Sequence, residues 1–300
     1  MISIARLLQT ITNTEHMLKT LEITTRIGCK NMCRYCPQKL LIQQYHKVKG
    51  DYIMSFQTFK TCIDKLPKDV RIDFSGMAEP WLNKEATKML LYAYKSGFGN
   101  IAVYTTCVGM TLQDVGKIKN IPYSVFMVHL ADADGNAKIL ITKEYLNVLT
   151  AIKNSGIHNI KYMTMGKLHP KLKAQFDGLL KEIPMLSRGG NLDDSIAKVT
   201  KRGSIECIAG LQHNVLLPNG DVILCCMDYG LKHKIGNLLT DQYKDLFSSK
   251  EMKVVINKLS DTDAGDLICR HCEYAIEAHT KTFRYKIYKK LTNHISKLIN

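Results

Sequence analysis

"LEITTRIGCKNMCRYCP", residues 21–37, runs from an apolar, β-branched stretch straight into three cysteines within eight residues, closed by a proline. The first seven residues have strand composition, so the thiols sit on a loop that leaves the carboxyl end of a strand. Working outward, the same texture recurs in "VRIDFSG" (70–76), "NIAVYTT" (100–106), "YSVFMVHL" (123–130) and "NIKYMTM" (159–165). Between these runs, "SFQTFKTCIDKLP" (55–67), "NKEATKMLLYAYKSG" (83–97), "TLQDVGKIKN" (111–120) and "TKEYLNVLTAIKNSG" (142–156) carry helical periodicity. Asn83 and Thr142 are expected N-caps, and Gly97 and Gly156 are expected stops. Cys62 falls on an apolar stripe with Phe59, Ile63 and Leu66 and reads as core. Alternating strands and helices predict an α/β fold, a parallel sheet with helices outside, either a barrel or a doubly wound sheet. Such folds carry their chemistry on loops at the carboxyl ends of the strands, which is where the cysteines lie.

Composition sets the class. The chain has 300 residues, 45% apolar and 23% charged, as a globular protein with a sizeable core would have. No apolar run reaches the length of a membrane span, and "MISIARLLQTITNTEHMLKT" (1–20) reads as an amphipathic helix, not a signal peptide. A cytoplasmic location is expected, and ten cysteines there suit metal or catalytic work better than disulfides. The formal charge of +15 favours anionic partners. Much of it is local, since residues 281–300 hold six Lys or Arg and no acid, as a basic helix or tail that is either a solvated face or a membrane-surface contact. No nucleic-acid-binding module accompanies the charge, so DNA is not expected.

Residues 188–204, "RGGNLDDSIAKVTKRGS", are polar and read as a connector. Beyond them "HNVLLPNGDVILCC" (213–226) is two β runs around a Pro-Asn-Gly-Asp turn, a hairpin signal. The expected division is residues 1–190 as the α/β unit, 200–280 as a small second domain and 281–300 as the basic tail.

Thiolates hold iron–sulfur clusters and structural zinc. Cys29, Cys33 and Cys36 form C-x3-C-x2-C, with no neighbouring His or Cys to supply a fourth ligand. Three ligands leave a metal position open, which suits a catalytic centre. After a first strand, this pattern resembles the signature of the radical S-adenosylmethionine (SAM) enzymes. The resemblance implies a partial (β/α)6 barrel and a 4Fe–4S cluster whose open iron binds SAM. It also implies a 5′-deoxyadenosyl radical that abstracts hydrogen from substrate. Tyr35 then matches the aromatic position near adenine. "SGMAEP" (75–80) resembles the family's GGEP element through Gly76, Glu79 and Pro80, with Met77 and Ala78 departing from it; backbone and acid there are implied to receive the SAM amino group.

Cys207, Cys225, Cys269 and Cys272, with the hairpin turn and "IGN" at 235–237, resemble the SPASM/Twitch domain. The resemblance implies one auxiliary 4Fe–4S cluster, since the further cysteines of a full SPASM domain are absent; four thiolates also suit zinc. Cys226 is a spare thiol or an alternative ligand, facing opposite to Cys225 if both are in a strand. The short arrangement resembles butirosin-type aminocyclitol dehydrogenases and radical SAM sugar epimerases. It implies a small or sugar-linked substrate, oxidation or epimerisation, and a flavodoxin- or ferredoxin-type electron donor. The alternative is peptide modification by epimerisation or crosslinking. An epimerase returns a hydrogen atom from a thiol, for which Cys107 and Cys226 are candidates. His129 is a candidate for substrate or SAM contact, Asp132 and Arg188 for substrate, with Asp132 and Asp134 otherwise Asx-turn residues. Lys167 and His169 stand at the end of the fifth run, where a phosphate contact or plain solvation are the two readings.

Overall fold

The computed structural model describes residues 19–182, 185–192, 199–261 and 265–278. The expected amphipathic start and the basic tail at 281–300 lie outside these. Six strands run parallel: β1 (Thr20–Ile23), β2 (Arg71–Phe74), β3 (Ile101–Thr105), β4 (Val125–His129), β5 (Ile160–Thr164) and β6 (Leu180–Glu182). The helices between them are α1 (Gln38–Val48), α2 (Phe56–Ile63), α3 (Ala86–Lys95), α4 (Leu112–Ile118), α5 (Lys143–Asn154) and α6 (Pro170–Phe176). The expected α/β sheet is present; α1, α6 and β6 are additions that the periodicities did not reveal.

Caps and stops follow local chemistry. Thr142 caps α5 by accepting from Tyr145 N, and Gly97 and Gly156 take the left-handed conformation that ends a helix at no Cβ penalty. Asn83 does not cap α3, contrary to expectation. Its amide donates to Thr25 O (3.0 Å) and Met54 O (2.8 Å), stitching the β1 loop to the segment before α2, while Glu85 occupies the cap.

Three strands of the second half join the same sheet. Strand β8 (His213–Leu216) pairs in parallel with β1, and β9 (Asp221–Ile223) and β10 (Lys234–Asn237) continue antiparallel from it, giving the order β10-β9-β8-β1-β2-β3-β4-β5-β6. The change of texture after residue 200 therefore marks a change of connectivity, not a break in the sheet. The hairpin turn is as expected: Gly220 has φ +84° and Gly220 N donates to Leu217 O. A two-stranded sheet of β7 (Ile205–Cys207) and β11 (Ala275–Glu277) places Cys207 opposite Ala275, three residues past Cys272. Helix α7 (Lys250–Ser260) completes the described elements; none is long and apolar enough to cross a membrane.

Period-two alternation sorts the strands. Leu21, Ile23, Ile72, Phe74, Ile101, Val103, Phe126 and Val128 pack with helix residues including Phe59, Cys62, Met89, Leu90 and Leu149 in one core. Glu22, Asp73, Tyr104, Met127, His129 and Met163, on the alternate positions, line two cavities. Cys62 is core, as read.

Candidate active site

The cysteine loop is shaped by turns and clamped by its neighbours. Gly28 and Met32 take positive φ, and Cys36 N donates to Cys33 O (3.0 Å). Gln38, the first residue of α1, receives Cys29 N on its oxygen (3.1 Å) while its amide donates to Cys36 Sγ (3.1 Å) and Met77 O (2.5 Å). The loop also docks on the one after β4: Arg34 N donates to Asn136 O and Lys138 N to Asn31 O, both at 2.7 Å. Cys29, Cys33 and Cys36 thereby face one cavity of about 210 Å³. Burial pushes the Cys33 thiol up to about 12, with the neighbouring Cys36 and Cys29 adding to it, and raises Cys29 as well. Grouped thiols that resist ionisation alone are ones a bound metal must deprotonate.

The opposite wall carries the 75–80 stretch. Gly76 has φ +54°, and a Cβ there would lie 2.4 Å from Thr24 Oγ1 and 2.8 Å from Thr24 Cα, so only glycine lets this turn press against β1. Glu79 lines the cavity, but its carboxylate is taken up by the protein. Oε1 accepts from Thr105 Oγ1 (2.6 Å) and Trp81 N (3.3 Å), and Oε2 from Thr106 N (2.6 Å) and Thr106 Oγ1 (2.7 Å). A carboxylate offers about four acceptor positions, and the protein's own donors occupy all four. Burial still raises its pKa. Pro80, unlike Glu79, lines neither cavity: it opens a short 3-10 turn and its carbonyl accepts from Thr25 Oγ1.

Tyr35 and His129 stack at 5.3 Å in the same cavity, with the Tyr35 hydroxyl 3.2 Å from either ring nitrogen. Burial pulls His129 down to about 4, so it is neutral near pH 7. Asp132 does not reach the cavity. Its oxygens accept from Asn136 N (2.8 Å) and Ala137 N (3.0 Å), an Asx-type closure that shapes the loop holding Arg34. Asp134 accepts from Lys167 N, and His169 caps α6. At φ +63° the Cys107 side chain turns into the core, 2% exposed, and lines neither cavity.

The second thiol group lines a larger cavity of about 560 Å³. Cys207 ends β7, Cys225 follows β9, Cys269 lies within the 3-10 turn Ile268–His271 and Cys272 directly follows it. Burial, with Cys207 and Cys272 beside it, pushes Cys269 up to about 12. Cys225 and Cys226 both lie past the end of β9, so strand alternation does not apply, and both line the cavity. Cys225 lies beside Cys269, whereas Cys226 lies beside the Glu22 carboxylate. Among the described residues no three His, Cys, Asp or Glu side chains converge on one metal-ion position. Soft thiol donors arranged in a three and a four around cavities fit iron–sulfur clusters.

Sequence reading missed the polar wall between the two groups. Glu22 Oε2 accepts from Ser75 Oγ (3.0 Å) and Oε1 lies 3.0 Å from His213 Nε2. Burial works against the Glu22 charge, but His213, Cys226 and Ser75 outweigh it and hold the carboxyl below its ordinary value. Asp73, opposite Glu22 in register, takes Arg71 in a two-point contact (2.6 and 3.1 Å). A lone acid inside "LEIT" and another inside "RIDF" were the signal. Arg188, a candidate substrate contact at the start of the connector, is half-buried and lines both cavities. Its Nε donates to Tyr35 O (3.2 Å), and Tyr229, Cys226 and Cys36 outweigh burial to keep it firmly charged. Ser75, Gly76, Tyr104, Arg188 and Tyr229 line both cavities, which therefore adjoin.

Residues 207–273 match the SPASM family, an iron–sulfur cluster-binding domain. No curated protein matches the chain in sequence. Among solved structures, BtrN in complex with AdoMet and 2-DOIA is similar with TM-score 0.59 and 17% identity over 88% of this chain and 95% of that one. The anSMEcpe structure with AdoMet and the Kp18Cys peptide gives 0.56 and 15% over 94% and 98%. SuiB of Streptococcus suis bound to precursor peptide SuiA gives 0.51 and 10% over 85% and 69%. All three are radical SAM enzymes with SPASM or Twitch domains, and at these identities the likeness establishes the fold.

Proposed function

We propose that this chain, with the fold of the radical SAM enzymes and a SPASM domain over residues 207–273, is a radical SAM oxidoreductase or epimerase acting on a small hydroxyl-bearing substrate of the carbohydrate or aminocyclitol kind. Cys29, Cys33 and Cys36 hold a 4Fe–4S cluster with an open iron, and SAM occupies the smaller cavity. Cys207, Cys225, Cys269 and Cys272 hold an auxiliary 4Fe–4S cluster. When bound and reduced by a flavodoxin- or ferredoxin-type donor, the first cluster and SAM supply a 5′-deoxyadenosyl radical that abstracts hydrogen. The observation that carries this reading is the adjoining of the two thiol-lined cavities across Ser75, Gly76, Tyr104, Arg188 and Tyr229.

The residues divide the work. Gly76, in the lining of the smaller cavity, lets its turn press against Thr24, and Glu79 fixes that turn to the end of β3. His129, neutral and oriented by Tyr35, is a hydrogen-bonding group towards SAM or substrate. Arg188 supplies fixed positive charge between the sites. The larger cavity presents Glu22, Asp73, Ser75 and His213, a set of acceptors and donors suited to hydroxyl or amine groups. Cys226, in that wall beside Glu22, is the thiol positioned to return hydrogen in an epimerisation; the buried Cys107 is not.

A second reading, peptide modification, is supported by the peptide complexes among the similar structures. Anaerobically reconstituted protein with SAM and reductant is the test. Deoxyadenosine formation stimulated by aminocyclitols or sugars, and not by cysteine-containing peptides, is the expected result; peptide-dependent turnover favours the second reading, and no deoxyadenosine refutes both. In deuterated water, deuterium at carbon in recovered substrate marks epimerisation, whereas a carbonyl product without it marks dehydrogenation.

A further inference from the structure

Cys36 receives two hydrogen-bonding groups at its sulfur, and one comes from the far end of the chain. Gln38 Nε2 donates from 3.1 Å, and the Tyr229 hydroxyl stands 3.2 Å away. We infer that Tyr229 is a positioning residue that sets the reduction potential of the cluster held by Cys29, Cys33 and Cys36, acting from the turn that carries Cys225 of the other thiol group. This rests on the reading of those three cysteines as cluster ligands.

Three observations support it. First, the hydroxyl is held by a braced turn. Asp228 N donates to Cys225 O (3.1 Å), and the Asp228 carboxylate accepts from Lys232 N (3.0 Å) and His233 N (2.7 Å). Second, Tyr229 is 3% exposed and packs in a cluster with Ile27, Leu41, Met77 and Val215, so its ring does not swing away to water. Third, a ligating cysteine is a thiolate without a proton, so the hydroxyl is the donor there. Hydrogen bonds to cluster and ligand sulfur draw off electron density and favour the reduced state, raising the potential. Phenylalanine keeps the ring and removes the donor alone.

The test is EPR-monitored potentiometry of the reconstituted full-length protein, wild type against Tyr229→Phe, with iron counted in both. The cluster with an open iron is recognised as the signal that SAM perturbs. The expected result is a midpoint for that signal more negative by about threefold in the oxidised-to-reduced ratio, roughly 28 mV for one electron, with the other signal unmoved and iron unchanged. A ring-fluorinated tyrosine at 229, a stronger donor, shifts it the opposite way. An unchanged midpoint, equal shifts in both signals, or loss of iron from Tyr229→Phe overturns this inference alone. Absence of any SAM-sensitive signal overturns the ligand reading and this inference with it.

Discussion

Glu79 is the sharpest place to separate scaffold from cofactor contact. In Glu79→Ala the Thr106 and Trp81 amides and the Thr105 and Thr106 hydroxyls lose their acceptor in a site where Glu79 is 4% exposed, and only the hydroxyls can rotate to new partners. A buried donor left unpaired costs about 1–3 kcal/mol, so the two amides give about 2–6 kcal/mol. Removing a buried charge returns part of this, because burial lifts the Glu79 carboxyl above its ordinary value, and we expect a net loss of about 2–4 kcal/mol. Glu79→Gln keeps the volume and one oxygen. With that oxygen towards Thr106 N, the threonine hydroxyls rotate to accept from the new amide, and only the long Trp81 contact is lost, about 1 kcal/mol. Urea unfolding of anaerobically prepared protein, followed by circular dichroism, measures both. A loss under about 0.5 kcal/mol in Glu79→Ala, or a larger loss in Glu79→Gln than in Glu79→Ala, refutes the scaffold role.

Other outcomes follow from the same geometry. Between the folded value of about 4 and the ordinary 6.5, folded His129 binds fewer protons than unfolded His129, so its share of stability is present above pH 6.5 and is lost on acidification towards 4. The full gap corresponds to about 3 kcal/mol, reduced to roughly 2 for its partial exposure; unfolding curves across this range should be flatter in His129→Asn, and an unchanged slope contradicts the assignment. Gly76→Ala forces a side chain onto the Thr24 backbone at positive φ, so it should lose about 2 kcal/mol or more and weaken SAM retention in equilibrium dialysis; wild-type behaviour rejects the close approach. If the reaction is epimerisation, Cys226→Ser abolishes solvent deuterium incorporation while Cys107→Ala keeps it, and the reverse pattern, read by mass spectrometry, would return Cys107 to the mechanism.

What the sequence made legible was what depends on neighbours in the chain. Strands β1 to β5 declared themselves through β-branched runs, and the thiol spacings through a few residues each. Helix α1 escaped because its buried face is only Gln38, Leu41 and Tyr45, and α6 because it buries only Leu172 and Phe176. Cys107 looked like a rim residue since nothing local reveals its left-handed backbone, which turns the thiol inward. Glu22 could be seen as an acid in a strand, but its partners His213 and Cys226 arrive through β8 and the turn after β9, about 190 to 200 residues later in the chain, by a parallel pairing that no local pattern encodes. Tyr229 at Cys36 is illegible for the same reason.

Counting iron and sulfide per chain after anaerobic reconstitution, in wild type and in Cys29/Cys33/Cys36→Ala, tests whether two separate thiol groups hold two iron–sulfur clusters, the first of them open for SAM. Two four-iron sites predict about eight iron falling to about four, with SAM binding lost in the triple variant. A triple variant that keeps all its iron would refute the assignment of Cys29, Cys33 and Cys36 as cluster ligands.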